Sequence, residues 1–154
     1  IATDHCSFDY HGDKQNGKDD FTKCPNGAPG VETRMPIVFS EGVSKGRMSL
    51  NKFAAVTSTN PAKIFGMYPK KGVLAVGSDA DIVLMNPDME VTITKNILHE
   101  NVDYTPYEGI QVKGWPVMTM VRGQAVVENE RLQVPLGFGR YINRKPVKYT
   151  ELLK

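Results

Sequence analysis

The sequence predicts an α/β chain in two unlike parts: a strand end, a long loop and helices up to about residue 66, then a small sheet. Three observations predict it. Ile1-Ala2-Thr3 is a short run that stops at Asp4-His5-Cys6, as the end of a buried strand does. From residue 31 apolar residues recur at spacings of three and four. After Pro69 that period gives way to short β-rich runs separated by Gly, Pro, Asn and Asp.

Asp4 is the first residue with chemical promise. A carboxylate at the C-terminal end of a buried strand is where α/β barrels place catalytic groups; a strand-end Asp also serves as a helix cap or loop brace. Adjacent residues on a strand point to opposite faces, so His5 reads as a packed or hydrogen-bonded histidine rather than a ligand. The chain opens with Ile rather than Met, as expected of a piece of a longer polypeptide. Residues 7–30 form a long loop with two turn-rich clusters, His11 to Asp20 and Pro25 to Gly30. A loop of that length inside a compact domain is commonly functional or disordered, and Asp4 at its first end favours function. His11 and His99 lie in loop-like sequence and are expected to be solvated.

A helix is predicted from Val31 to Phe39, with Pro36 in its first turn, where a missing N–H costs little, and Gly42 as its stop. Ser49 caps a second helix that sets Leu50, Phe53, Ala54 and Thr57 on one face. Asn60-Pro61 starts a third, with Asn60 as N-cap, and Gly66 closes it. Strands are predicted at residues 74–76, 82–85, 91–94 and 110–112. Two more, 116–121 and 124–127, flank Arg122-Gly123 as a hairpin turn. Trp115 and the strand Val and Met residues are core candidates. The stretch from Gly137 onward is basic and aperiodic, and reads as a tail that packs on another chain.

The 154 residues suffice for one domain with a real core. Apolar residues make up 40% and charged residues 23%, and the net charge is +2 with basic residues scattered. That leaves no footprint for nucleic acid or an anionic membrane surface, and no run is long enough to span a membrane. Cys6 and Cys24 are too few for a disulfide framework. They read as reduced thiols in a cytoplasmic protein, a single Cys6–Cys24 bridge being the alternative.

Three segments together carry a family resemblance: Thr3-Asp4-His5-Cys6-Ser7-Phe8; Asp20-Phe21-Thr22-Lys23 through Pro25-Asn26-Gly27 to Met35-Pro36; and residues 57–66 running into Tyr68-Pro69-Lys70-Lys71-Gly72 and Gly77-Ser78-Asp79-Ala80-Asp81-Ile82-Val83. Residues 101–109, Lys113-Gly114-Trp115-Pro116-Val117, Gly139-Arg140-Tyr141 and Arg144-Lys145-Pro146 extend it. In order and spacing these resemble the C-terminal third of a hydantoinase or dihydropyrimidinase, in the amidohydrolase superfamily. The resemblance implies an α/β fold: the C-terminal end of a (β/α)8 barrel followed by part of a small β-sandwich. Residues 1–66 would be the last strand, an active-site loop and terminal helices of the barrel. Residues 67–136 would be the sandwich portion and 137–154 the tail.

The resemblance also implies a site. Asp4 matches the barrel aspartate that contacts one of two divalent metal ions, usually zinc, and shuttles a proton. A water shared by two cations loses its proton near neutral pH, and a nearby carboxylate can carry that proton to a leaving nitrogen. Asn26 matches the asparagine whose backbone holds the cyclic amide substrate, with Gly27 and Gly30 allowing close approach. Cys6 would line the same pocket with no chemistry assigned. Most of the implied metal ligands are not in this chain, and catalytic zinc normally takes three protein ligands. The isolated chain is therefore expected to be inactive and to depend on the remainder of the barrel, and the intact protein to be a homo-oligomer, a tetramer. A second reading is a non-catalytic dihydropyrimidinase-related scaffold protein. Retention of Asp4 and Pro25-Asn26-Gly27, and of Tyr104-Thr105-Pro106-Tyr107 in a bacterial hydantoinase-like pattern, favours the enzyme.

Overall fold

α-Helical structure begins at Arg34, after a turn at residues 31–33 where the sequence places its start, and then runs further than expected. The computed structural model describes residues 1–147; of the expected 137–154 tail, residues 148–154 lie outside the described residues. Helix α1 (Arg34–Val38) follows the buried Thr33 and carries Pro36 in its first turn. It passes without a break into a π turn, Phe39–Ser44, so Gly42 lies within the helical run rather than ending it. Ser49 caps α2 (Leu50–Ala54), its Oγ accepting from Lys52 N at 3.2 Å. A second π turn, Ala55–Thr59, joins α2 directly to α3 (Asn60–Ile64). Asn60 is therefore not a cap but the first residue of α3, within one helical run from 50 to 64. A proline ring strikes the carbonyl four residues earlier in a regular helix. The widened turn ahead of Pro61 displaces that carbonyl, of Thr57, and the run continues.

Among the described residues four antiparallel strands follow in sequential order: β1 (Ile82–Thr92), β2 (Gln111–Val121), β3 (Gln124–Glu128) and β4 (Arg131–Leu132). The expected strands 82–85 and 91–94 are one strand, interrupted where Asn86 pairs with Trp115 and Glu90 with Lys113. Pro87 in that interruption has no N–H to give a ladder, and Asn86 Oδ1 accepts from Asp88 N instead, at 3.1 Å. Residues 110–112 and 116–121 likewise merge into β2. The Arg122-Gly123 turn is as predicted, both residues at positive φ as a two-residue hairpin needs. Residues 74–76 are not a strand. No strand among the described residues lies beside them, and Leu74 and Val76 are exposed in a turn.

The core lies where β1 and β2 meet the 93–107 segment and α1. Ile93, Leu98, Val112 and Trp115 are buried together, with Ile37, Met89 and Tyr107 packed on them. A second contact joins helices to sheet. Phe39 and Phe53 meet edge-on at 5.4 Å, and the Phe39 ring covers Gly114, where a β-carbon would lie 2.1 Å from Cδ1. Beside it, Ser40 Oγ accepts from Lys113 N at 3.0 Å, and Ser44 Oγ donates to Lys113 O at 3.0 Å. The described strands form one sheet with helices against it; the expected sandwich portion is a single sheet layer here.

Candidate functional site

The chain end carrying Asp4 is held against the Pro25-Asn26-Gly27 turn by backbone contacts. Residues 1–4 are not a paired strand. The extended segment reduces to one parallel bridge, His5 to Ala28, with Cys6 N donating to Ala28 O at 3.1 Å. Asp4 is exposed and has φ 49°, a left-handed conformation that Asp tolerates better than most residues. His5 Nδ1 lies 3.0 Å from Gly30 N and 3.2 Å from Val31 N. Both amides donate, so Nδ1 is the accepting nitrogen, and Nε2 faces Ser7 Oγ at 2.9 Å. His5 is thus the hydrogen-bonded histidine that the sequence implies.

Gly27 has φ +103°, and a β-carbon on it would lie 2.3 Å from Cys6 Cβ. That close approach brings the turn onto the Asp4 segment and leaves Asn26 exposed beside it. Gly30 does otherwise than expected: it is buried and packs on the Tyr107 ring, so its backbone faces the core. Cys6 and Cys24 are free thiols; the alternative bridge is not formed.

The loop between Asp4 and Asn26 is internally braced. Lys14 Nζ donates to Gly27 O at 2.5 Å and also to Pro25 O. Asp20 caps the 3-10 turn Phe21–Lys23 through Thr22 N and Thr22 Oγ1; hydrogen bonds from that hydroxyl and amide hold its carboxyl below the usual range. Asp103 reaches in from outside the loop. Its carboxylate accepts from Tyr10 N at 2.6 Å, His11 N at 3.0 Å and His11 Nδ1 at 2.6 Å. The His11 and Tyr10 amides draw its pKa down to about 2. Burial pushes the Tyr104 phenol up, with Cys24 and Asp103 adding to it.

His11 and His99 are solvent-facing as expected, yet each is paired. His99 Nδ1 meets Glu32 Oε1 at 2.7 Å and its Nε2 meets Glu130 O at 3.0 Å. Nothing in the local sequence marks these pairs, nor the roles of Lys14 and Asp103, because the partners are far away in the chain. Only the concentration of polar residues in 9–20 hints at a braced loop.

Among the described residues no group of three or more His, Cys, Asp or Glu could hold a metal ion. Asp4 on its own does not fit a pair of metal ions. No helix among the described residues is long and apolar enough to cross a membrane.

Residues 1–126 match the model of the Amidohydrolase family. The chain is 47% identical over 153 residues to the D-hydantoinase of Geobacillus stearothermophilus, covering 99% of this chain and 32% of that protein. It is 45% identical over 146 residues to a D-phenylhydantoinase of Escherichia coli, covering 95% and 32%. Among solved structures it is similar to dihydropyrimidinase from Brevibacillus agri, with TM-score 0.91, 52% identity and coverage of 94% and 32%. It superposes on D-hydantoinase from a Bacillus species with TM-score 0.93 and 47% identity, covering 96% and 32%. The chain spans about a third of the length of the curated relatives it matches.

Proposed function

Because the chain belongs to the amidohydrolase family, we propose that it is part of a cyclic amidase that opens hydantoins or 5,6-dihydropyrimidines to N-carbamoyl amino acids. The observation that carries this reading is its likeness, over nearly all its length, to hydantoinases. The abutment of the Asp4 segment on the Asn26 turn is consistent with it. In the reaction a water oxygen bonds to the ring carbonyl carbon and the ring C–N bond breaks. Asp4 takes the proton that the water loses and gives it to the departing nitrogen. The backbone at Asn26 holds the substrate amide against it.

The two divalent metal ions, zinc by resemblance, would require ligands beyond Asp4 that the described residues do not offer. In this proposal those ligands belong to the remainder of the barrel. Exposed apolar side chains such as Phe21, Leu74, Val76 and Leu136 support burial against that remainder and against further subunits of a tetramer. The free thiols support a cytoplasmic setting.

The test is made on the intact protein that contains this chain. With divalent metal supplied, it is expected to hydrolyse hydantoin or dihydrouracil, and Asp4→Asn to lower kcat by about 10²–10⁴-fold. A folded intact protein that opens neither ring, or an Asp4→Asn variant with unimpaired kcat, overturns the reading.

A further inference from the structure

We propose that Lys14 is a positioning residue for substrate binding: its ammonium clamps the carbonyls on either side of Asn26, and Asp103 anchors the loop that delivers it. The inference rests on the proposed role of Asn26 as the substrate-holding residue and goes beyond it by naming what fixes that residue in place.

The geometry runs as a chain of contacts. Lys14 Nζ donates to the carbonyls of Pro25 and Gly27, the residues on either side of Asn26. Two acceptors on one cation restrain the Pro25–Asn26 peptide plane, which adjoins Asn26, and the Gly27–Ala28 plane one residue beyond it. Charge-assisted hydrogen bonds of this kind are about twice as strong as neutral ones. The Lys14 ammonium also stands 5.4 Å from the Phe8 ring centroid, and the side chain is partly buried. Its stem is therefore guided rather than free.

Lys14 is in turn placed from outside the loop. It opens the 3-10 turn Lys14–Gly17, whose entry is set by Lys14 N donating to Asp9 O at 3.1 Å and Gln15 N donating to Tyr10 O at 3.2 Å. Residues 9–11 are then fixed to Asp103. Tyr10 N, His11 N and His11 Nδ1 all face its carboxylate, and Asp103 N donates back to Asp9 Oδ1 at 3.1 Å. The 101–105 segment, a long way off in sequence, thereby sets the position of the turn at Asn26. This arrangement fixes the backbone of a substrate-holding residue without placing another side chain on the substrate. It acts on ground-state and transition-state binding alike, so its loss belongs in KM rather than kcat.

The experiment uses the intact protein and five variants, one of them held in reserve. Lys14→Met is expected to raise KM for the cyclic amide about tenfold with kcat within about twofold, and Lys14→Arg to recover most of the loss. The Cys6 amide, which donates to Ala28 O, is expected to exchange faster in Lys14→Met at an unchanged melting temperature, and Asp103→Asn to raise KM in the same sense. Should the Met variant not fold, Lys14→Gln serves, with an expected rise of about threefold; a parental KM there overturns the proposal. Gly27→Ala separates the two readings, since it disturbs the turn directly. If Gly27→Ala raises KM and Lys14→Met does not, the Lys14 clamp is overturned and the role of Asn26 stands. If neither moves KM, both fall.

Discussion

A β-carbon on Gly114 would meet the buried Phe39 ring, and the residue's φ of +101° is one that L side chains rarely adopt. Gly114→Ala is therefore expected to cost about 2–4 kcal/mol, from overpacking and left-handed strain together, read by denaturant unfolding of the intact protein. Ser40 sits next to that contact, 4% exposed, with Lys113 N donating to it. Ser40→Ala leaves that amide without its acceptor and is expected to cost about 1–3 kcal/mol in the same measurement. Asp103 carries a pH signature. Its folded pKa of about 2 lies below its unfolded value, so its contribution is full above the unfolded pKa and lost as pH falls through about 2. Proteolysis within residues 9–20 is expected to quicken on acidification from pH 4 to pH 2, and Asp103→Asn to flatten that dependence. These long-range roles were not legible in the sequence. His11 and Asp103 are 92 residues apart, and only folding makes them neighbours.

At the scale of elements, the β3–β4 hairpin is tied to the turn before α1 by His99. Its two ring nitrogens face a Glu32 carboxylate oxygen and the Glu130 carbonyl, both acceptors, so the charged ring satisfies both. The Glu32 carboxylate first, then the Glu130 carbonyl, raises the pKa of His99 above the ordinary histidine value. A raised pKa gives stability that is complete below the unfolded value and is lost as pH rises through the folded one. Amide exchange across residues 128–132 is expected to accelerate as pH rises past that raised value, beyond the intrinsic rate, and His99→Gln to remove the step. Helix and strand existence was legible because period and turn chemistry agreed: Ser49 caps, and Arg122-Gly123 turns. Continuity was not. Asn60-Pro61 looks like a fresh start, yet a π turn carries the helix through it, and Gly42 looks like a stop that the first π turn passes over. Residues 74–76 have the composition of a strand, but pairing needs a neighbour, and composition cannot supply one.

For the molecule as a whole, apolar surface and chemistry tell the same story. Phe21, Leu74, Val76 and Leu136 stand exposed, and cavities of about 490 and 710 Å³ open beside the sheet, the first against Trp115, the second against Phe53. The chain expressed alone is expected to bind a hydrophobic dye and to show no metal-dependent ring opening above background; turnover with added zinc would contradict this. The sequence offered Asp4 as the end of an expected strand, which is not paired in the fold, and Asn26 through resemblance, whereas the lysine beside Asn26 and its distant anchor emerged from the folded loop.

The Phe39 ring seated on Gly114 has a mechanical meaning. A flat ring lodged in the only gap that a strand without a side chain leaves acts as a key in a slot. With Ser40 and Ser44 gripping Lys113 beside it, neither sliding along the strand nor rolling about the helix axis is open without expelling the ring. Helices and sheet therefore travel as one piece. Any movement between Asp4 and Asn26 that the proposed reaction would need therefore falls to the loop that joins them.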